Sequence, residues 1–182
     1  MATSDTGTPD PVPADERAKD GSAHDPFAPS PLWPVRRSDW PWSEEAVTRW
    51  RDNDIYGHLN NVVHYELFDA AVNRMLIASH LLDPQGGRHI ALVVETGCRY
   101  HRSLGYPQSL VVSLGVAALG RSSVRYHLAV HAGDDPDDAP PAAQGRFVHV
   151  LVDRRARRPT PWPEAWRVRL AQLRLDDGRN GG

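Results

Sequence analysis

The sequence predicts an α+β domain, with one long helix wrapped by a curved antiparallel sheet of about five strands. Three observations carry this. Residues 62–82, VVHYELFDAAVNRMLIASHLL, form the one long helical pattern in the chain. Four β-rich segments follow it in succession. Their connections are too short for helical crossovers, so the later strands are expected to form an antiparallel meander.

Each element has its own local reason. Residues 1–35 hold seven of the 16 prolines and six acids against two bases, with few large apolar side chains. Such a segment buries too little surface to offset its ordering entropy, so a disordered tail is expected there. The folded domain is expected over 36–175, and a flexible C-terminus, DDGRNGG, over 176–182. Within the domain, AVTRWR at 46–51 is a short strand-like run ending in Asp52-Asn53-Asp54. GHLNN at 57–61 then punctuates the chain. In the helix, Tyr65, Phe68, Val72, Met75, Leu76 and Ser79 recur at spacings of three and four, which places them on one face. Asn60 or Asn61 supplies the N-cap, because an amide oxygen there accepts from an unpaired first-turn N–H. DPQGG at 83–87 stops the helix. Strands are expected at 89–102, 109–118, 122–132 and 145–153. Gly120 and Arg121 sit in the turn between the second and third, and the acidic, Pro-rich run 133–143 forms an exposed loop. PEAWRVRLAQLRL at 163–175 is a short amphipathic helix.

Composition narrows the function. The formal net charge is −2, which argues against a nucleic-acid binder. Cys98 is the only cysteine, so neither an internal disulfide nor a four-thiolate zinc site can form. No window approaches the roughly 18 consecutive apolar residues of a membrane span, and the N-terminus lacks the apolar stretch of a secretory signal. A soluble cytoplasmic protein with no membrane partner is expected. Arginine outnumbers lysine 20 to 1, which reads first as genomic base composition.

The chemistry concentrates in RWRDNDIYGHLNNVVHYELFDAAVNRML, residues 49–76. Asp52, Asp54, His58, Asn60 and Asn61 fall within ten residues at a strand-to-helix junction. First-turn N–H groups of a helix have no intrahelical partner, and the helix dipole favours negative charge there. A carboxylate just before that turn can act on a carbonyl held by those N–H groups, with the oxyanion stabilised by donors already in place.

These residues resemble the hotdog-fold acyl-CoA thioesterases of the 4-hydroxybenzoyl-CoA thioesterase group, over about residues 40–170. The resemblance rests on Asp54-Ile-Tyr-Gly57-His58-Leu-Asn60-Asn61 with the following helix, on VVETGCRY at 93–100 and on LGRSSVRY at 119–126. Plant acyl-ACP thioesterases show a similar aspartate-to-HVNN pattern, so the carrier, CoA or acyl carrier protein, stays open. The resemblance implies an acyl-CoA substrate hydrolysed to a carboxylate and free CoA, without cofactor or metal. It implies that Asp54 attacks the thioester carbonyl or polarises the water that does. It implies that the main-chain N–H of Asn61 polarises the thioester oxygen, that His58 is catalytic or orienting, and that Asn60 and Tyr65 contact substrate. Arg121 matches a turn where relatives set basic residues against the CoA phosphates, with Ser122 and Ser123 lining the cleft. One position departs from the pattern: His64 stands where many relatives carry an aromatic residue, so either the pocket polarity differs or Tyr65 and His64 exchange contacts.

Plainer readings stand beside these. Asp54 could serve only as a helix-start acid, His58 as a capping donor, and Asn60 and Asn61 as caps. Asp54, His58 and His64 match no standard metal spacing. Cys98 reads as a small strand residue, and Glu95 as either a cleft group or a strand-edge acid. RRARR at 154–158 is either a phosphate landing site, where the guanidinium fork suits, or a solvated face. Two other functions compete. A hotdog hydratase would place its Asp and His five apart with Asn between, whereas Asp54 and His58 are four apart. A non-catalytic acyl-CoA binder needs no carboxylate beside a thioester. A single sheet of this type has exposed edges, so a homodimer or homotetramer is expected, with a cleft built from two chains.

Overall fold

The computed structural model describes residues 33, 34 and 36–175. The expected tail and flexible C-terminus fall outside the described residues, apart from Trp33 and Pro34. Five strands, β1 (Trp42–Val47), β2 (His89–Tyr100), β3 (Ser109–Leu119), β4 (Ser123–Ala132) and β5 (Ala143–Asp153), form one antiparallel sheet. Two helices, α1 (Asn61–Ala78) and α2 (Glu164–Gln172), complete the domain, with single 3-10 turns at Arg37–Asp39 and Trp50–Asp52. The architecture is α+β and hotdog-like.

The strand order is β1-β3-β4-β5-β2. The expected meander therefore holds for β3, β4 and β5 only. β2 lies beyond β5 at the far edge and is not a neighbour of β3. The reason lies in segment 101–108, which leaves the end of β2 and runs past the start of α1. There the Leu59 N–H donates to the Leu104 carbonyl at 2.6 Å, and the Tyr106 N–H donates to Asn53 Oδ1 at 3.0 Å. This crossing carries the chain from one sheet edge towards the other.

β1 begins four residues earlier than the strand-like run at 46–51 suggests. Trp42 to Val47 alternate half-buried and exposed and pair with β3. The chain then turns because Asp52 folds back on Arg49. Its carboxylate accepts from the Arg49 main-chain N–H at 2.7 Å and from Arg49 Nε at 2.9 Å. Asp52 is buried, and this paired arrangement satisfies the charge locally.

In α1, Phe68, Val72, Met75 and Leu76 face the core as the periodicity predicts, joined by His64 and Ala71. Tyr65 is half-buried, and Ser79 is the C-cap. The helix stops before DPQGG because His80 adopts a left-handed φ of 55°, and the N–H groups of Leu81 and Leu82 turn back to the Leu76 carbonyl. Close approach of α1 to the sheet depends on Gly145, where a Cβ would sit 2.5 Å from the buried Phe68 ring. Gly145→Ala is expected to lower stability by about 1–3 kcal/mol through overpacking. An equilibrium denaturation with a lower midpoint and unchanged slope would show it.

α2 buries Trp166 and Leu170. β3 extends past the end of β1, since Trp42 pairs with Leu114. The outward main-chain groups of Val116 are then taken up by the segment after α2. Its N–H donates to the Leu173 carbonyl at 2.6 Å, and its carbonyl accepts from Leu175 at 3.0 Å. Trp33 and Trp40 join Leu175 and Ala129 in a small second cluster, and Trp33 stacks on His127 with centroids 4.0 Å apart.

Candidate active site

The loop Asp54–His58 is closed at its base by a main-chain bridge between Asn53 and Leu59. Inside it, the Asp54 N–H donates to the His58 carbonyl at 2.8 Å. Asp54 Oδ1 accepts from the N–H groups of Tyr56 at 2.8 Å and His58 at 3.2 Å. An aspartate accepting from the N–H two residues on is the local turn for which this side chain is suited. Gly57 supplies the positive φ, 80°, that closes it. Both bonds land on Oδ1, so the turn fixes the plane of the carboxylate without occupying Oδ2.

Asn60 is the N-cap of α1. Its side-chain oxygen accepts from the Val62 N–H at 3.1 Å, while its own N–H donates to the Asp52 carbonyl at 2.8 Å. This settles the choice between the two asparagines. Asn61 becomes the first helical residue, whose N–H has no intrahelical acceptor.

A cavity of about 440 Å³ opens at this junction. Asp54, His58, Asn61 and His64 form one side of it. Tyr100 and the run 101–104 form the other. The second side was not identified from the sequence as part of a site. The only signal for it was the resemblance motif ending at Tyr100 and the polar run His101-Arg102-Ser103 after it. Two of these groups are already paired: His101 Nε2 with Gln144 Oε1 at 2.9 Å, and Arg102 with Asp135. The Tyr100 hydroxyl makes a long 3.5 Å bond to the Asn61 carbonyl, and its ring meets His64 edge-on with centroids 5.0 Å apart. Burial pushes the His64 imidazole below its usual pKa, with the Asn60 main chain acting in the opposite sense. The site therefore combines an oriented carboxylate, the Asn61 N–H at the start of α1 and a buried imidazole around one cavity.

The remaining candidates lie elsewhere. Tyr65 packs against Phe147, with centroids 6.1 Å apart, and burial raises its phenol pKa. It is not in the lining of this cavity. Arg121, Ser122 and Ser123 lie at the opposite end of the sheet. Ser123 pairs with Val150, whereas Tyr100 pairs with Ala143. Seven residues along β5 correspond to roughly 23 Å at a strand's rise per residue. One chain therefore does not bring these three residues to Asp54. The turn is tied instead to the chain around α2, where the Trp162 N–H donates to the Arg121 carbonyl at 3.0 Å. Cys98 is half-buried in β2, and burial raises its thiol pKa, as suits an inert strand residue. Glu95 pairs with Arg146, which matches the strand-edge reading.

The family model of the thioesterase-like superfamily matches residues 48–170. The chain belongs to the thioesterase-like superfamily. Among solved structures, the PA5185 protein from Pseudomonas aeruginosa strain PAO1 is 45% identical, with a TM-score of 0.73 over 78% of this chain and 96% of that one. A 1,4-dihydroxy-2-naphthoyl-CoA thioesterase from Synechocystis shares the fold at 17% identity, with a TM-score of 0.63 over 72% of this chain and 96% of that one. The SAV2348 protein from Staphylococcus aureus, solved in complex with CoA, shares it at 15% identity, with a TM-score of 0.64 over 72% of this chain and 82% of that one. No curated protein matches the chain significantly. Membership of this thioesterase-like superfamily supports thioester hydrolysis in general terms. Among the described residues, no helix is long and apolar enough to cross a membrane.

Proposed function

We propose that the protein is an acyl-CoA thioesterase in which Asp54 is the nucleophile or general base. The observation that carries this reading is the Asp54 carboxylate, fixed by its own loop, at a cavity that the N-terminus of α1 also enters. A thioester has a good leaving group. Its hydrolysis needs an activated oxygen and a stabilised oxyanion, and neither requires a metal or organic cofactor. A thioester carbonyl directed at the Asn61 N–H would place its carbon near Asp54. A general base contributes about 10²–10⁴-fold and an oxyanion donor about 10²–10³-fold. CoA as the carrier is supported by the Synechocystis thioesterase and by the CoA complex of the Staphylococcus protein. A CoA substrate also favours a cytoplasmic location.

In this reading Arg121, Ser122 and Ser123 reach the substrate from a second copy of the chain, since they lie too far from Asp54 within one. The outer edge of β2 is the surface that favours pairing. It is an edge strand, and it exposes Leu92, Val93 and Val94 in succession. Such an edge is an aggregation hazard unless another chain covers it. Light scattering at micromolar concentration is expected to report a homodimer or homotetramer, and a strictly monomeric species would refute the shared cleft. The reaction itself is tested by free-thiol release from a panel of CoA thioesters. Release of thiol supports hydrolysis, whereas tight binding without release favours a non-catalytic binder.

A further inference from the structure

The Asp54 turn fixes how the carboxylate is oriented, but its bonds are internal to residues 54–58 and do not fix where the turn stands. That place is set at the two ends of the loop. At its exit, the Leu59 N–H donates to the Leu104 carbonyl at 2.6 Å. At its entry, Asn53 Oδ1 accepts from the Tyr106 N–H at 3.0 Å. Both bonds run to segment 101–108, whose residues 101–104 form the opposite wall of the cavity. The two walls are therefore tied together beside Asp54, at one end through main chain and at the other through a side chain.

The tie is close. A Cβ at Gly105 would sit 3.2 Å from the Gly57 carbonyl oxygen and 3.5 Å from Asn53 Oδ1, so the loop and the crossing chain meet at contact distance there. Tyr106 is also held by Trp50, whose ring it meets edge-on with centroids 5.9 Å apart. The Asn53 side chain has no part in the cap of α1, which is Asn60, and the Asp54 turn closes without it. Its oxygen is thus separable from the turn and from the helix start, and what it controls is the spacing of the two walls.

We infer that Asn53 is a positioning residue, whose bond to the Tyr106 N–H sets the distance between the Asp54 carboxylate and the opposite cavity wall. Its bearing on turnover rests on the thioesterase reading of the site. A thioester confined between the walls meets the carboxylate along a productive approach only while that spacing holds. A displacement of about 1 Å in a reacting group costs up to about 10²-fold in rate. Ground-state binding is spread over the whole cavity and is much less sensitive, so the loss falls on kcat rather than on KM.

The test compares the full chain with Asn53→Ala, which removes the acceptor, and Asn53→Asp, which keeps an oxygen at the same place. Amide hydrogen exchange reads the hold on the loop without any substrate. Asn53→Ala is expected to speed exchange at Tyr56, His58 and Tyr106 by about 5-fold or more, the worth of one such hydrogen bond, whereas Asn53→Asp is expected not to speed it. Free-thiol release from CoA thioesters reads the reaction. It is compared at the plateau of each pH profile, because Asn53→Asp adds a charge beside Asp54. Asn53→Ala is expected to lower kcat by about 10-fold or more with KM within about 3-fold, and Asn53→Asp to keep kcat within about 3-fold of wild type. A Tyr106 amide that exchanges at the unprotected rate in wild type would overturn the inference whether or not a variant folds. So would unchanged exchange in Asn53→Ala, faster exchange there with a wild-type kcat, or equal losses in the two variants. If wild type releases no thiol from any CoA thioester while exchange responds as expected, the hold of Asn53 on the loop stands and the thioesterase reading fails.

Discussion

Asp54→Asn is expected to lower turnover of CoA thioesters by about 10²–10⁴-fold while leaving the fold intact. The separation follows from the two carboxylate oxygens. An asparagine Oδ1 can still accept from the N–H groups of Tyr56 and His58, which Asp54 now holds at 2.8 Å and 3.2 Å. The loop, the Asn60 cap and the start of α1 are therefore preserved. The amide nitrogen that replaces Oδ2 can neither attack a carbonyl nor take a proton from water. The loss is expected in kcat, with KM little changed, because a group acting only in the transition state does not contribute to ground-state binding. Asp54→Ala removes the turn bonds as well, so it is expected to raise KM and lower the melting temperature too. Steady-state kinetics beside thermal unfolding distinguish the variants. Asp54→Asn with near wild-type kcat would remove Asp54 from the mechanism.

Stability is expected to fall as pH drops from about 6.5 toward 4, with His149 as a principal cause. His149 is only 2% exposed on β5, edge-on to the buried Tyr126 at 5.4 Å, and neither of its ring nitrogens has a hydrogen-bond partner. Burial pushes its pKa down from 6.5 to about 4. The folded chain thus refuses a proton that the unfolded chain accepts. Above pH 6.5 neither state binds it, and stability is unaffected. Between 6.5 and 4 the unfolded state gains the proton first, and the folded state loses ground by about 2 kcal/mol at pH 5 and about 3 kcal/mol at pH 4. Burial lowers the pKa values of His64 and His131 as well, so they act in the same direction. His149→Leu replaces the imidazole with a side chain of similar volume and no polar atoms. It is expected to leave stability at pH 7 unchanged or higher and to flatten the loss between pH 6.5 and 4. Chemical denaturation of both proteins across this range reads the difference. Parallel pH profiles would show that His149 does not control acid stability.

The parts of the site legible from sequence are those built from near neighbours. The Asp54 turn spans residues 54–58, and the Asn60 cap reaches two residues along the chain. Alternation and helical spacing likewise place β3, β4, β5 and most of the α1 core face within a few residues. Misplaced features had long-range causes. β1 starts at Trp42 because its pairing with β3 outweighs the local pattern of AVTRWR. The family resemblance implies that Tyr65 contacts substrate, and its spacing puts it on the core side of α1. The sheet offers Phe147 at that point, and the ring packs there.

The sequence by itself pointed to the family through its motifs, and it located the Asp54 turn and, to within one residue, the start of α1, because these two depend on hydrogen bonds between residues two to four apart. Only the tertiary structure decided that β2 lies beyond β5, and that Tyr100 and the run 101–104 close the cavity opposite Asp54. It also decided that Arg121 to Ser123 lie at the other end of the sheet, and that His64 and His149 are buried. These features depend on which distant strands pair and which faces they cover. Periodicity records that a residue is turned inward, but not which surface it will meet.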